Sequence, residues 1–313
     1  MIEAQGLTKR LGGRTVVSDV SFRCEPGTVT GFLGPNGPNG AGKTTTMRML
    51  VGLCEPDAGH ARILGGGYRD LPNPGRRVGI LLDAAAQHAG RRGREALAVS
   101  AQTMGVGEER VDGLLELVGL DETAARRRVG KYSLGMRQRL GLAHALLGDP
   151  ELLILDEPAN GLDPEGMRWM RVLLRDFADR GGTVLLSSHL LAEVEVIADR
   201  MVIIGNGRIM AQGTRAELLN ATGTAVRARD AMGLRAALTA AGLTAYPVDG
   251  GGLLVDAEPE AVAQAAMDDG VLLSRLAPSE GAGLERLFFE LTATSATHPE
   301  TISPELELAG ATA

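Results

Sequence analysis

The sequence predicts an α/β fold: a mainly parallel sheet with a phosphate-binding loop at one edge. Two observations lead there. Leu152-Leu153-Ile154-Leu155 is a continuous apolar run ending in Asp156-Glu157, the pattern of a strand buried on both faces of a parallel sheet. Gly37-Pro38-Asn39-Gly40-Ala41-Gly42-Lys43-Thr44 fits G-x-x-x-x-G-K-[ST]. It lies between an apolar run, Val29 to Leu33, and a helical stretch, Thr45 to Leu53. Strand, glycine loop and helix are the context in which that motif holds phosphate.

Composition narrows the function classes. A chain of 313 residues has room for one large domain and one small one. The net charge of −7 argues against a nucleic-acid platform, which should carry a basic surface. Cys24 and Cys54 stand without a neighbouring ligand pair, so neither a zinc site nor a disulfide framework is expected, and a reducing cytosol is. No apolar run approaches the ~20 residues that cross a bilayer, and Met1-Ile2-Glu3-Ala4-Gln5 has none of the basic and apolar regions of a signal peptide.

Taken in order, residues 2–9, 14–24 and 28–33 read as strands, with turns at Gly12-Gly13 and Pro26-Gly27. After the glycine loop and its helix, His60 to Leu64 and Arg77 to Leu82 are short strands. From about 84 to 148 the pattern turns helical. Leu97, Ala101 and Met104 share one face, and Val111, Leu114, Leu115 and Val118 another. Arg126-Arg127-Arg128 reads as a solvated face. Ser133 caps a helix running through Leu147, its side-chain oxygen meeting free N–H groups. Pro164 to Asp179 is a helix, Thr183 to Ser187 a strand, and His189 opens a further helix. Met201 to Ile204 and Arg208 to Ala211 form a hairpin about Asn206-Gly207.

Beyond about Asn220 the composition shifts to alanine and glycine. Strands at Ala225–Arg229, Leu253–Asp256 and Val271–Leu276 alternate with helices at Leu234–Ala241, Pro259–Met267 and Gly283–Leu291. This reads as a small α+β domain of ferredoxin-like kind. The expected division is 1–220 for the main domain, with its helical part at about 84–148, then 221–292 for the small one and 293–313 for a flexible tail.

The residue types point to nucleotide chemistry. Glycines let successive backbone N–H groups turn toward phosphate oxygens, and the helix N-terminus adds a positive dipole end. The stretch Gly37, Asn39, Gly40, Ala41, Gly42, Lys43, Thr44 and Thr45 is the expected phosphate cradle. Within it Lys43 meets the outer phosphates and Thr44 holds Mg²⁺. A strand end in a parallel sheet lies at the same edge as such a loop. Asp156 is therefore placed to hold Mg²⁺, and Glu157 to act as general base toward water.

Ser133-Leu134-Gly135-Met136-Arg137-Gln138 resembles the signature motif of the ATP-binding cassette (ABC) ATPases, usually Leu-Ser-Gly-Gly-Gln. Asn160-Gly161-Leu162-Asp163 resembles their D-loop, and His189 in Leu186-Ser187-Ser188-His189 their switch histidine. The motifs stand in family order over roughly residues 2–215, and their detail is similar to bacterial drug- and antibiotic-export ATPases of the daunorubicin-resistance type. The resemblance implies a P-loop ABC-type ATPase domain: a parallel-sheet core, an antiparallel β subdomain and a helical subdomain. It implies ATP and Mg²⁺ as ligands, and a head-to-tail homodimer closing over two ATPs. Ser133, Gly135 and Gln138 of one copy then face the nucleotide held by Lys43 of the other, and Asp163 crosses the interface. His189 senses the γ-phosphate beside Glu157. A separate polytopic permease subunit, contacted near Asp83 to Ala101, holds the protein at the cytoplasmic face of the membrane. Repair-type relatives carry coiled coils between loop and signature, and no heptad array stands between Lys43 and Ser133.

The sequence departs from that family in four places. Leu11 stands where an aromatic residue usually stacks on adenine, Asp83 where the metal-facing glutamine is usual, and Leu134 where the signature has glycine. Pro35-Asn36-Gly37 is repeated at once as Pro38-Asn39-Gly40. An odd slip of the preceding strand would turn its side chains inside out, so a bulge between strand and helix is expected, with weakened or slowed nucleotide binding. Deleting one Pro-Asn-Gly is expected to tighten ATP binding or raise turnover; identical affinity and turnover, measured side by side, would mean that the repeat costs nothing.

Overall fold

The computed structural model describes residues 1–35, 41–214, 217–218, 223–248, 252–255 and 257–278. Strands β1 (Ile2–Leu11), β2 (Arg14–Cys24) and β4 (Ala58–Ile63) form an antiparallel sheet in the order β2-β1-β4. A six-stranded sheet runs β5 (Val78–Leu81), β6 (Leu152–Leu155), β7 (Thr183–Ser188), β3 (Val29–Leu33), β8 (Arg200–Gly205) and β9 (Arg208–Thr214). Its pairings are parallel except the β8–β9 hairpin, as the turn at Asn206-Gly207 requires.

Alternation along β6 explains its unbroken apolar run. Leu153 and Leu155 enter the core on one sheet face, with Val29, Leu33, Val184 and Leu186. Leu152 and Ile154 enter the core on the other, with Phe32, Leu185, Val202 and Ile204. Each fully buried side chain of this size contributes roughly 1.5–3 kcal/mol, so both faces hold the strand in register. The first core is covered by α3 (Gly93–Met104), α4 (Glu109–Leu117), α6 (Leu134–Leu146), α7 (Pro164–Asp179) and α8 (Leu191–Glu195). The second is covered by β1, β2 and α1 (Lys43–Leu50). Two short helices, α2 (Pro74–Arg77) and α5 (Glu122–Arg126), complete this part.

The expected helical region is present from Gly93; residues 84–92 form turns and bends instead. Leu97, Ala101, Val111, Leu114, Leu115 and Val118 are buried, as their spacing requires, and Arg126 to Arg128 are exposed. β3 pairs with β7 from Val29↔Val184 to Leu33↔Ser188 without irregularity, and the Ala41 N–H reaches the Pro35 carbonyl at 3.4 Å. The strand thus keeps its register up to the repeated Pro-Asn-Gly, most of which lies outside the described residues.

Further on, β10 (Thr224–Ala228), α9 (Ala231–Ala240), β11 (Ala245–Val248), β12 (Gly252–Val255), α10 (Pro259–Asp268) and β13 (Leu273–Pro278) follow in the order β-α-β-β-α-β. Their sheet, β11-β12-β10-β13, is antiparallel throughout, the ferredoxin-like arrangement. The sequence reading has no strand at β11; its Pro247 lacks a backbone donor, which is tolerated because β11 is an edge strand. The helix expected at Gly283–Leu291 and the tail at 293–313 lie outside the described residues.

Cys24 is fully buried, and burial pushes its thiol up to about 12, while Cys54 is half-buried. A thiolate-trapping reagent at neutral pH is therefore expected to label Cys54 in the native protein and both cysteines only after denaturation. Rapid native labelling of Cys24 would contradict this packing.

Candidate nucleotide site

The turn into α1 is made by Gly42, whose φ of +92° lies in the left-handed region. A side chain there would also meet the Val16 carbonyl at 2.7 Å, so only glycine fits. Lys43, Thr44 and Thr45 form the first turn of α1, at the positive end of the helix dipole. Ala41 is buried beneath them. Gly37, Asn39 and Gly40 lie outside the described residues.

Thr44 Oγ1 donates to Asp156 Oδ2 at 2.5 Å. The other Asp156 oxygen accepts from the Ser187 hydroxyl, which in turn accepts from the Glu157 N–H at 2.9 Å. Lys43 Nζ donates to the Gly34 carbonyl at 2.5 Å and lies 3.5 Å from Glu157 Oε1. His189 Nδ1 lies 2.8 Å from Glu157 Oε2. Burial pushes the Lys43 ammonium below the usual lysine range, opposed by the charges of Glu157 and Asp156. Glu157 itself has φ +49°, a left-handed backbone unusual for this residue type. His189 sits between β7 and α8, two residues ahead of the helix that the sequence places at it.

Ser133 caps α6, its hydroxyl accepting from the Met136 N–H at 3.2 Å. Ser133 is exposed and Gly135 partly so. A side chain on Gly135 would stand 2.6 Å from the Gly161 carbonyl, so signature and D-loop are in direct contact. Asp163 caps α7, accepting from the Gly166 N–H at 2.9 Å. Gln138 is turned inward: it is 4% exposed and donates to the Glu157 carbonyl at 3.1 Å. Asp83 is exposed and closes its own turn, accepting from the Ala85 N–H at 2.7 Å. Leu11 is half exposed at the end of β1.

Lys43, Thr44, Asp156, Glu157 and His189 thus converge at one sheet edge, with Gln138 behind them. Within one chain, Ser133, Gly135, Asp163 and Asp83 make no described hydrogen bond to that cluster. Ser187 is the site residue that the sequence reading passed over. Its signal is a small hydroxyl residue ending the apolar strand beside the one that carries Asp156.

A glycine turn at a helix start, a lysine beside a strand end and an acid pair on the next strand but one define a P-loop nucleotide-binding protein. Residues 17–160 match the family model described as ABC transporter. The chain is 42% identical over 213 residues to the bacitracin transport ATP-binding protein BcrA of Bacillus licheniformis, covering 67% of this chain and 68% of the relative. It is 38% identical over 212 residues to the lantibiotic transport ATP-binding protein SrtF of Streptococcus pyogenes, covering 67% and 89%. A solved ATP-binding subunit of an ABC transporter aligns with TM-score 0.63 at 30% identity, over 70% of this chain and 91% of that one. A dimeric ATP-binding cassette in a post-hydrolysis state with ADP and Pi shares the fold, with TM-score 0.62 at 20% identity, over 68% of this chain and 98% of that one. The chain belongs to the ATP-binding subunits of ABC transporters, and is an ATP-binding ATPase.

Replacing Ser187 by alanine strands the Glu157 N–H and takes a donor from Asp156. A loss of about 1–3 kcal/mol of stability is expected in urea unfolding, together with slower ATP turnover. Unchanged stability and turnover would show that the serine holds neither acid.

Proposed function

We propose that this chain is the motor of an exporter: two copies close over two ATPs, and hydrolysis drives a separate polytopic permease. The observation that supports it most is the Glu157 carboxylate, with one oxygen facing Lys43 and the other facing His189. A carboxylate so placed can take a proton from water attacking the γ-phosphate, while the imidazole orients it. Lys43, now on the Gly34 carbonyl, is poised to move onto phosphate oxygens. The pair formed by Thr44 Oγ1 and Asp156 Oδ2 is a hard-oxygen donor set of the kind that suits Mg²⁺. When bound there, Mg²⁺ offsets phosphate charge. Asp83 would join only after releasing its own turn.

The exposed Ser133 and the partly exposed Gly135, next to the D-loop, suit contact with a second copy's nucleotide at a helix N-terminus. With Leu11 half exposed, adenine would rest on apolar contact alone. No described helix is long and apolar enough to cross a membrane; on this reading the separate permease does the crossing and holds the motor at the cytoplasmic face. The names of the bacitracin and lantibiotic transport relatives suggest an antibiotic as cargo. We take 1–220 as the motor domain, 221–292 as an accessory domain and 293–313 as a tail.

Glu157→Gln is expected to lower phosphate release by about a hundredfold or more while ATP still binds. His189→Ala should act in the same direction. Wild-type turnover no faster than that of Glu157→Gln would instead favour a nucleotide-binding regulatory subunit, the outcome that the repeated Pro-Asn-Gly could produce.

A further inference from the structure

Glu157 is held by its backbone as well as by its carboxylate. Its left-handed φ of +49° turns the peptide so that the N–H meets the Ser187 hydroxyl and the carbonyl meets Gln138 Nε2 at 3.1 Å. The Asn160 N–H shares that carbonyl at the same 3.1 Å. Left-handed backbone is unfavourable for a residue with a long side chain and persists where surrounding contacts fix it. Gln138 supplies such a contact from a different element, the helix that begins at Ser133.

The environment of Gln138 fixes which way its amide points. The side chain is 4% exposed, and its Oε1 has no hydrogen-bond partner among the described residues. A reversed amide would set two oxygens against each other at the Glu157 carbonyl, so Nε2 must face it. A buried acceptor left unpaired is unfavourable. An apolar side chain of similar length would fill the same space but supply no donor to the Glu157 carbonyl.

We infer that Gln138 is a positioning residue for hydrolysis: it ties the signature helix to the backbone of the same chain's Glu157, rather than touching nucleotide. This rests on the motor reading above. In a closed dimer the Ser133 end of α6 would lie on the partner's ATP. Gln138, buried farther along that helix, would then report the helix's seating to the Glu157 that serves the chain's own ATP. Each site would thus sense whether the other is filled.

The test uses the full-length chain and ATP with Mg²⁺. Gln138→Met keeps length and loses the donor. Its kcat is expected to fall about tenfold or more, with KM for ATP within about twofold. In a Glu157→Gln background, Gln138→Met should leave the ATP concentration that drives dimerisation within about twofold. Gln138→Glu supplies a second reading, since a protonated carboxyl can donate to the carbonyl and a carboxylate cannot. Its kcat relative to wild type should rise as pH falls from about 8 to about 6. A kcat within about twofold of wild type for Gln138→Met overturns the inference. So does a shift confined to KM or to the dimerisation midpoint, which would make Gln138 a nucleotide contact. If Gln138→Met does not fold, a flat relative pH profile for Gln138→Glu overturns it by itself. Absence of ATP-driven dimerisation in Glu157→Gln alone counts against the motor reading, and the kcat and KM of Gln138→Met still decide the positioning role.

Discussion

The site depends on the parallel alignment of β6, β7 and β3. Leu155 lies opposite Leu186, and Leu33 opposite Ser188. Three strand ends therefore finish together, and the groups that follow them meet at one edge: Lys43 and Thr44 beyond β3, the acids after Leu155, and Ser187 and His189 at the end of β7. The backbone ladder, backed by cores on both faces, sets distances that the charged groups could not set alone. A one-residue shift of β6 would turn its apolar side chains to the wrong faces and carry Asp156 away from Ser187. The chemistry inherits its geometry from the sheet.

The charged cluster is balanced internally. Lys43 is nearly buried, yet it faces Glu157 and a backbone carbonyl. Asp156 accepts from two hydroxyls, one from α1 and one from β7. Glu157 lies between a lysine and a histidine. A buried ion costs less when its partners are fixed beforehand. The cluster is compact because the groups a nucleotide would engage pair with one another.

Much of this was legible in the sequence because it depends on local pattern. The run Leu152–Leu155, the Ser133 cap and the α7 helix, which begins and ends at the residues expected, are set by alternation, capping chemistry and proline. Lys43 and Thr44 were legible from a spaced motif, Asp156 and Glu157 from the end of an apolar strand, and His189 only through the family resemblance; the structure brings the five together. The parts that were not legible depend on contacts between distant segments. Gln138 reads as part of a nucleotide motif, but α6 turns it toward Glu157, nineteen positions along the chain. Ser187 reads as the tail of a strand until β7 is laid beside β6. Asp83 reads as a metal ligand, but its carboxylate closes a local turn, and residues 84–92 lack the apolar period that would make them helical.

The burial of Lys43 has a consequence of another kind. The lysine's head group is out of bulk solvent, held by the Gly34 carbonyl and facing Glu157, so an electrophile reaches it best when a bound nucleotide carries it in. An activated ester placed near the terminal phosphate of an analogue would leave an amide on Lys43, releasing its leaving group and the amine's proton, whereas an aldehyde would leave an imine that water reverses unless it is reduced.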